Sequence, residues 1–166
     1  MPDILLFSRL RSTYVEPKGE NELRAVCQLH DTLTEASVEV IVKTPELEVT
    51  DAKAKFIRAP QRPSASEMEL VSKVKGIRIG PGMKKIIRGL IGDAPENKQL
   101  AFMVEECCNA VILSFTKDVL LQTPEDKRGE REFYAQMVRD NIRLYNRCAA
   151  FAPGSSLVED IEPPQG

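Results

Sequence analysis

The chain of 166 residues carries 23 Lys and Arg side chains against 25 Asp and Glu, which gives a net charge of −2. Apolar residues make up 42% and charged residues 29%. These proportions suit a globular domain with one buried core and exclude a disordered or collagen-like chain. Because the net charge is slightly negative, we expect no general affinity for nucleic acid, and phosphate binding would need a local basic patch.

Neither a signal peptide nor a membrane span is predicted. The only early apolar run, residues 4–7, is too short for the apolar region of a signal peptide. The most apolar stretch, residues 107–115, is far shorter than the roughly 20 residues that cross a bilayer. The four cysteines are not spaced as Cys-x-x-Cys. We therefore predict reduced thiols and a cytoplasmic location.

The first part of the chain has the residue pattern of an antiparallel sheet. Apolar and polar residues alternate in four stretches, with β-branched residues frequent among them. Turn-forming residues at 18–21 and at Thr44-Pro45 separate these stretches. Short turns join antiparallel neighbours, so the pattern predicts a meander of three to four strands. The four stretches are residues 5–15, 23–29, 38–42 and 47–57.

From Pro60 onwards the pattern changes to that of helices. Ser66 and Glu69 have the spacing of a capping box, which predicts the start of a helix. Apolar residues recur at helical spacing through the next stretches. Thr123 and Pro124 have the character of an N-cap followed by a first-turn proline, which predicts a last helix. The predicted helices cover residues 67–76, 83–91, 99–121 and 130–148.

This order of strands followed by helices predicts an α+β fold, with the helices packed on one face of the sheet. We expect a single domain over residues 1–150, with strands within 4–58 and helices within 67–148. Residues 151–166 are rich in Gly, Ser, Pro and acids, so they are predicted to form a flexible tail.

Six basic residues, with no acidic one among them, lie between Leu70 and Gly92. Gly80-Pro81-Gly82 lies within this run, directly before a predicted helix. N–H groups at a helix start, together with basic side chains, favour a phosphate or carboxylate. The spacing is not that of a nucleotide-binding loop and only loosely resembles a helix-hairpin-helix, so DNA binding is a weaker hypothesis. A solvated helix face is the simplest one. The basic residues are Lys73, Lys75, Arg78, Lys84, Lys85 and Arg88.

Candidate metal ligands are scattered along the chain. His30, the only histidine, precedes Asp31 at a strand end, where the pair suits either a metal site or an ordinary protein surface. Cys107 and Cys108 fall on the apolar face of a predicted helix, which favours core packing over catalysis. No Ser/His/Asp or Cys/His set is evident, so an enzyme is the least supported interpretation. The possible metal ligands are Cys27, His30, Asp31, Cys107, Cys108 and Cys148.

Four short motifs between residues 29 and 100 form a set that can be compared with known families. They are Asp31-Thr32, the Pro-Glu-Leu-Glu-Val-Thr-Asp-Ala stretch at 45–52, Arg58-Ala59-Pro60, and the Gly-Ile-Arg-Ile-Gly-Pro-Gly turn at 76–82. This set resembles an uncharacterised bacterial family, which is similar to iron–sulfur cluster scaffolds of the IscU/NifU and SufE type. The resemblance implies a scaffold-like fold over about residues 9–120, in which cysteine thiolates would hold a cluster.

Other residues occupy the ligand positions that this resemblance implies. Where the family opens its long helix with Gly-Cys-x-His-Leu, this chain has Glu-Asn-Lys-Gln-Leu at 96–100. The cysteine expected after Pro60 is missing, and the family's histidine beyond Asp31 falls near Thr34. Asn, Gln and Thr are poor ligands for soft metals, so we predict that this cluster site has been lost.

A non-catalytic binding protein is the first hypothesis. The basic region and a polar pocket would hold an anionic small molecule or an acidic protein partner through salt-sensitive hydrogen bonds. No cofactor and no membrane partner is predicted. The alternatives are a carrier of a metal or iron–sulfur cluster with rearranged ligands, and a nucleic-acid binder that uses the Gly-Pro-Gly turn. The predicted binding residues are Asp31, Lys73, Arg78, Gly80, Gly82, Lys84, Lys85, Arg88, Asn97 and Gln99.

Overall fold

Strands precede helices along the whole of the described chain. The structure is a computed structural model that describes residues 6–165. The strands are β1 (Arg9–Pro17), β2 (Glu22–Asp31), β3 (Glu35–Lys43) and β4 (Glu48–Arg58). The α-helices are α1 (Ala65–Glu69), α2 (Met83–Ile91), α3 (Pro95–Ser114), α4 (Thr116–Gln122) and α5 (Arg131–Asp140). Short 3₁₀ helices occur at Leu70–Val74, Glu125–Lys127, Ile142–Leu144 and Ala149–Phe151. Within residues 6–165, no helix is both long enough and apolar enough to cross a bilayer.

The four strands form one antiparallel sheet in the order β1-β2-β3-β4. Thr13 lies opposite Cys27, Cys27 opposite Val38, and Val38 opposite Ala54, so these residues share one face of the sheet. This arrangement confirms the predicted α+β fold and the meander. The predicted first strand began at residues 4 and 5, which lie outside the described residues.

The core of the sheet is formed by β2, β3 and β4, since Val49 and Phe56 on β4 are buried as well. Ala25, Cys27 and Leu29 on β2 are buried, as are Val38 and Val40 on β3. The thiol of Cys107 on α3 donates to the carbonyl of Val38 at 3.6 Å, which places α3 directly against this face. No residue of β1 is buried, so β1 extends the sheet beyond its core.

The two edges of the sheet differ. Along β4, Val49 N–H donates to Ile77 C=O at 2.9 Å, and Gly76 N–H donates to Val49 C=O at 2.7 Å. The N–H of Ile79 also donates to Leu47 C=O at 2.9 Å. Residues 76–79 therefore cover the beginning of the β4 edge. No strand within residues 6–165 pairs with the outer edge of β1.

The first helix begins at a different serine from the predicted one. Ser64, not Ser66, is the N-cap: its hydroxyl accepts from Glu67 N–H at 3.2 Å, and the Glu67 carboxylate accepts from Ser64 N–H at 2.6 Å. Both serines precede a glutamate by three residues, so the spacing alone does not separate them. The helix that follows is short and continues as the 3₁₀ helix at Leu70–Val74.

The long predicted helix is interrupted at Phe115, between α3 and α4. The hydroxyls of Ser114 and Thr116 donate to the carbonyls of residues three positions earlier, at 2.7 and 2.6 Å. Such side chains compete with the backbone hydrogen bonds of a helix, which explains the break. Thr123 likewise donates to Val119 C=O at 2.7 Å, so it binds α4 and does not cap a last helix. The last helix, α5, ends at Asp140 and not near residue 148.

The described residues form two compact units. The first contains residues up to Ile79 together with Met83–Ala110, and the second contains Gly80–Gly82 and the residues from Val111 onwards. In the second unit Phe151 and Val158 are buried. The predicted domain boundary at residue 150 stays a prediction, and these two buried residues lie beyond it.

Candidate anion-binding site

A cleft of about 380 Å³ lies between the beginning of α3 and strands β1 and β2. Its floor is apolar, because Cys27, Leu29 and Met103 are buried. Its rim carries three exposed cations and two side-chain amides, and none of residues 6–165 contributes a carboxylate to its lining. We call this feature the α3 cleft. Its lining residues are Arg9, Arg11, Cys27, Gln28, Leu29, Pro95, Lys98, Gln99, Phe102 and Met103.

Strand and helix periodicity bring these residues together. In the antiparallel register Arg11 lies opposite Leu29, so the two side chains share the face of the sheet that lines the cleft. On α3, Lys98, Gln99 and Phe102 recur at helical spacing and therefore share one side of the helix. The cleft lies at the N-terminal end of this helix, where the helix dipole favours an anion.

Asp31 does not line the cleft but binds Arg9, which does. Its buried carboxylate accepts from the N–H groups of Leu33 and Thr34 at 2.8 and 2.6 Å, and from Arg9 Nε at 3.0 Å. Hydrogen bonds from the backbone of Thr34 and Leu33, with help from Arg9, hold the pKa of Asp31 below its usual range. Asp31 therefore closes the turn between β2 and β3 and orients Arg9, and its oxygens are occupied by these donors.

Arg11 and Lys98 are the two cations of the cleft without an ion pair in the described part of the chain. The Arg11 guanidinium lies 5.0 Å from the centre of the Phe102 ring, a cation–π contact, and that ring is 38% exposed. Within residues 6–165 neither Arg11 nor Lys98 forms an ion pair. The ring holds Arg11 at the mouth of the cleft and leaves its N–H groups available to a ligand.

A second cleft, of about 410 Å³, shares Lys98 and Phe102 with the first. Here Arg88 donates from Nε and Nη2 to the two carboxylate oxygens of Glu105, at 2.7 and 3.2 Å. The Glu105 side chain is only 4% exposed. Arg88 therefore neutralises a buried acid, which reduces its capacity to bind a ligand.

The basic region at residues 73–88 is not a single patch of free charge. Lys75 pairs with Asp51 at 2.8 Å, and this contact, with Lys53, lowers the pKa of Asp51 to about 2. Arg88 is paired as described above, while Lys73, Lys84 and Lys85 are exposed. Arg78 lies in the segment that covers the β4 edge, where its backbone pairs with that of Glu48 in an antiparallel β-bridge.

The Gly-Pro-Gly turn belongs to the second unit. The carbonyl of Gly80 accepts from Arg147 Nη2 at 3.1 Å, and a Cβ added to Gly80 would lie 3.8 Å from Arg143 Nε. Gly82 has a φ of 78°, a left-handed conformation that favours glycine directly before α2. Arginine side chains thus approach Gly80, which is buried, whereas Pro81 and Gly82 are exposed. The nucleic-acid alternative stays a prediction.

The structure brings only part of the predicted binding set together. Gln99 lines the α3 cleft, and Asp31 contacts it through Arg9. Asn97 donates from its amide to Ile91 C=O at 3.1 Å, and its buried Oδ1 has no hydrogen-bond partner in the described part of the chain. The remaining predicted residues line neither the α3 cleft nor the second cleft, except Arg88, which lines the second. They are Lys73, Arg78, Gly80, Gly82, Lys84 and Lys85.

The candidate metal ligands are dispersed. Cys27, Cys107 and Cys108 are buried and Cys148 is half-buried, all as free thiols. Burial raises the pKa of Cys27 and Cys107. His30 is exposed, and its Nδ1 lies 3.7 Å from Oε2 of Glu35. Among residues 6–165 no three His, Cys, Asp or Glu side chains are placed to hold a metal ion.

No protein-family model, curated protein or solved structure matches this chain. The resemblance to iron–sulfur scaffolds therefore stays a prediction.

Proposed function

We propose that this protein is a non-catalytic binding protein that holds an anionic ligand in the α3 cleft. The observation that carries the proposal is the position of Arg11 and Lys98, two cations without carboxylate partners in residues 6–165, above an apolar floor. A concave apolar surface with a few convergent polar groups is the usual form of a small-molecule site. The cleft suits a ligand with an apolar body and a carboxylate, sulfonate or phosphate group.

The anionic group would be bound by charge-assisted hydrogen bonds. Arg11, stacked on Phe102, offers N–H groups in a fixed plane, which suits the paired oxygens of a carboxylate. Lys98 adds a point charge, and the Gln99 amide adds a neutral donor at the same rim. Because these cations are exposed, we expect affinity to fall as salt concentration rises. The proposal includes a cytoplasmic location, which the four free cysteines support.

Two related fluorescent probes test the proposal. Anilinonaphthalene sulfonate has an apolar ring system and an anionic group, and N-phenylnaphthylamine has similar rings without the charge. In the double variant Arg11→Gln/Lys98→Gln, we expect the affinity for the sulfonate to fall by about tenfold or more, since charged hydrogen bonds are lost. The affinity for the neutral amine should change by less than about twofold, because the apolar floor is unaltered.

The matched control is Lys84→Gln/Lys85→Gln, which removes the same charge from the exposed face of α2. This variant should bind both probes as the unaltered protein does. Loss of sulfonate binding in the control, with binding retained in Arg11→Gln/Lys98→Gln, would move the anion site to α2. Equal binding by all three proteins would mean that neither place is an anion site.

A further inference from the structure

The outer edge of β1 presents backbone groups that have no partner in residues 6–165. Thr32 N–H donates to Ser8 C=O at 3.2 Å, and Lys18 N–H donates to Glu22 C=O at 2.8 Å, at the two ends of the β1–β2 pair. In an antiparallel pair the backbone groups alternate between the partner strand and the outside. The even-numbered residues therefore bond to β2. The residues whose N–H and C=O groups point outwards are Arg9, Arg11, Thr13 and Val15.

The two faces of β1 carry different kinds of side chain. Arg9 and Arg11 lie on the face that lines the α3 cleft. Arg9 is paired through Nε with Asp31 and its side chain is 47% exposed, whereas Arg11 forms no ion pair within residues 6–165. Leu10 and Tyr14 lie on the opposite face, where they are 68% and 40% exposed. Large exposed apolar side chains beside an open backbone edge are typical of a surface that another chain covers. The edge thus combines free backbone groups, cations on one face and apolar groups on the other.

We propose that an extended acidic segment of a partner protein adds to β1 as a further strand of the sheet. Residues directly opposite each other in paired strands share a face, so acidic side chains would meet Arg9 and Arg11, and apolar ones would meet Leu10 and Tyr14. Charge complementarity selects this occupant, because the cationic face repels a basic segment. This inference rests on the proposed function: the polypeptide would carry the anionic group into the α3 cleft.

A synthetic peptide tests the inference with the full-length protein. The acetylated, amidated peptide Thr-Val-Thr-Val-Glu-Val-Glu, with a fluorescent label, places its glutamates opposite Arg11 and Arg9 in an antiparallel register. We expect saturable binding by fluorescence anisotropy. A peptide with glutamine in place of both glutamates should bind about tenfold more weakly or worse, since two charge-assisted contacts are lost.

The edge itself is tested with Thr13→Pro. Proline at this position removes an outward N–H and leaves the β1–β2 hydrogen bonds in place, which is the setting in which strands tolerate proline. We expect the affinity for the peptide to fall by about tenfold, which corresponds to the loss of one backbone hydrogen bond and close approach along the edge. Thr13→Val is the matched control, because it changes the same side chain and keeps the N–H. Sulfonate binding should be the same in both variants.

The results separate the two proposals. Unchanged peptide binding by Thr13→Pro, with sulfonate binding retained, would overturn the added strand and leave the anion site intact. Loss of neither ligand in Arg11→Gln/Lys98→Gln would overturn the anion site itself. If Thr13→Pro fails to fold, the unaltered protein still decides the matter: methylation of the peptide nitrogen opposite Thr13 should abolish binding, and methylation of the next nitrogen should not. A dimer of the protein alone that the peptide dissociates would assign the edge to a second copy and overturn the acidic partner.

Discussion

The molecule has two groups of cations: one is clustered along the chain, and the other is brought together only by the fold. The basic region at residues 73–88 is dense along the chain, yet Lys75 and Arg88 within it are paired with Asp51 and Glu105. Arg11 and Lys98 lie far apart along the chain and form no ion pair within residues 6–165, yet the fold brings them to one cleft that no carboxylate of those residues lines. The density of charge along a sequence therefore does not locate an anion site, because ion pairs within the fold decide which charges stay available to a ligand.

The two edges of the sheet differ in the same way. The sequence-dense region includes residues 76–79, which cover the beginning of the β4 edge. The dispersed group lines a strand whose outer edge has no covering segment within residues 6–165. We therefore expect a structural role for the first region and propose a binding role for the second, and three stability measurements test the structural half.

The largest expected effect concerns Ile79, a buried residue whose N–H donates to Leu47 C=O. Ile79→Ala should lower the free energy of unfolding by about 3 kcal/mol in chemical denaturation, because it leaves a cavity beneath the covering segment. Arg78→Ala, next to it and exposed, should cost less than about 0.5 kcal/mol. Equal losses in the two variants would show that the segment is not held by its apolar contact.

A smaller effect is expected at Arg88. Arg88→Met leaves the Glu105 carboxylate buried without its partner, so the free energy of unfolding should fall by about 2 kcal/mol. The double variant Arg88→Met/Glu105→Met removes both charges and should recover most of that loss. If the double variant is less stable than Arg88→Met, the ion pair does not have the structural role assigned to it.

The smallest effect concerns pH and Asp51. Its pKa is lowered to about 2 by Lys75 first and Lys53 second. Since the unfolded carboxyl has a pKa of about 4, the contribution is fully present above that pH and is lost as pH falls from about 4 towards 2. Because Lys75 and Lys53 are exposed, solvent screening limits it to about 1 kcal/mol. Asp51→Asn should flatten the stability curve over this pH range, and an unaltered curve would contradict the pairing.

The sheet was predictable from sequence because its signals are local. Alternating residues gave the strands, and turn-forming residues such as Gly19, with a φ of 73°, lie where the chain reverses. The helix ends were less predictable, since the hydroxyls of Ser114 and Thr116 compete for carbonyls that spacing rules assign to the backbone.

Only part of the candidate site could be found in the same way. Gln99 was identified through the resemblance, and Asp31 as a strand-end residue. Arg9, Arg11 and Lys98 were missed, because their proximity depends on the register of β1 with β2 and on the placement of α3. The sequence signal for Arg9 and Arg11 is their spacing of two, which places both on the same face of a predicted strand, and no comparable signal marks Lys98.

Backbone amide shifts in a nuclear magnetic resonance titration with anilinonaphthalene sulfonate measure the position of the anion site without any substitution. We expect the largest shifts at Arg11, Leu29, Gln99 and Phe102, around the α3 cleft, and small ones at Lys84 and Lys85 on α2. Large shifts on α2 with none around the cleft would contradict this expectation.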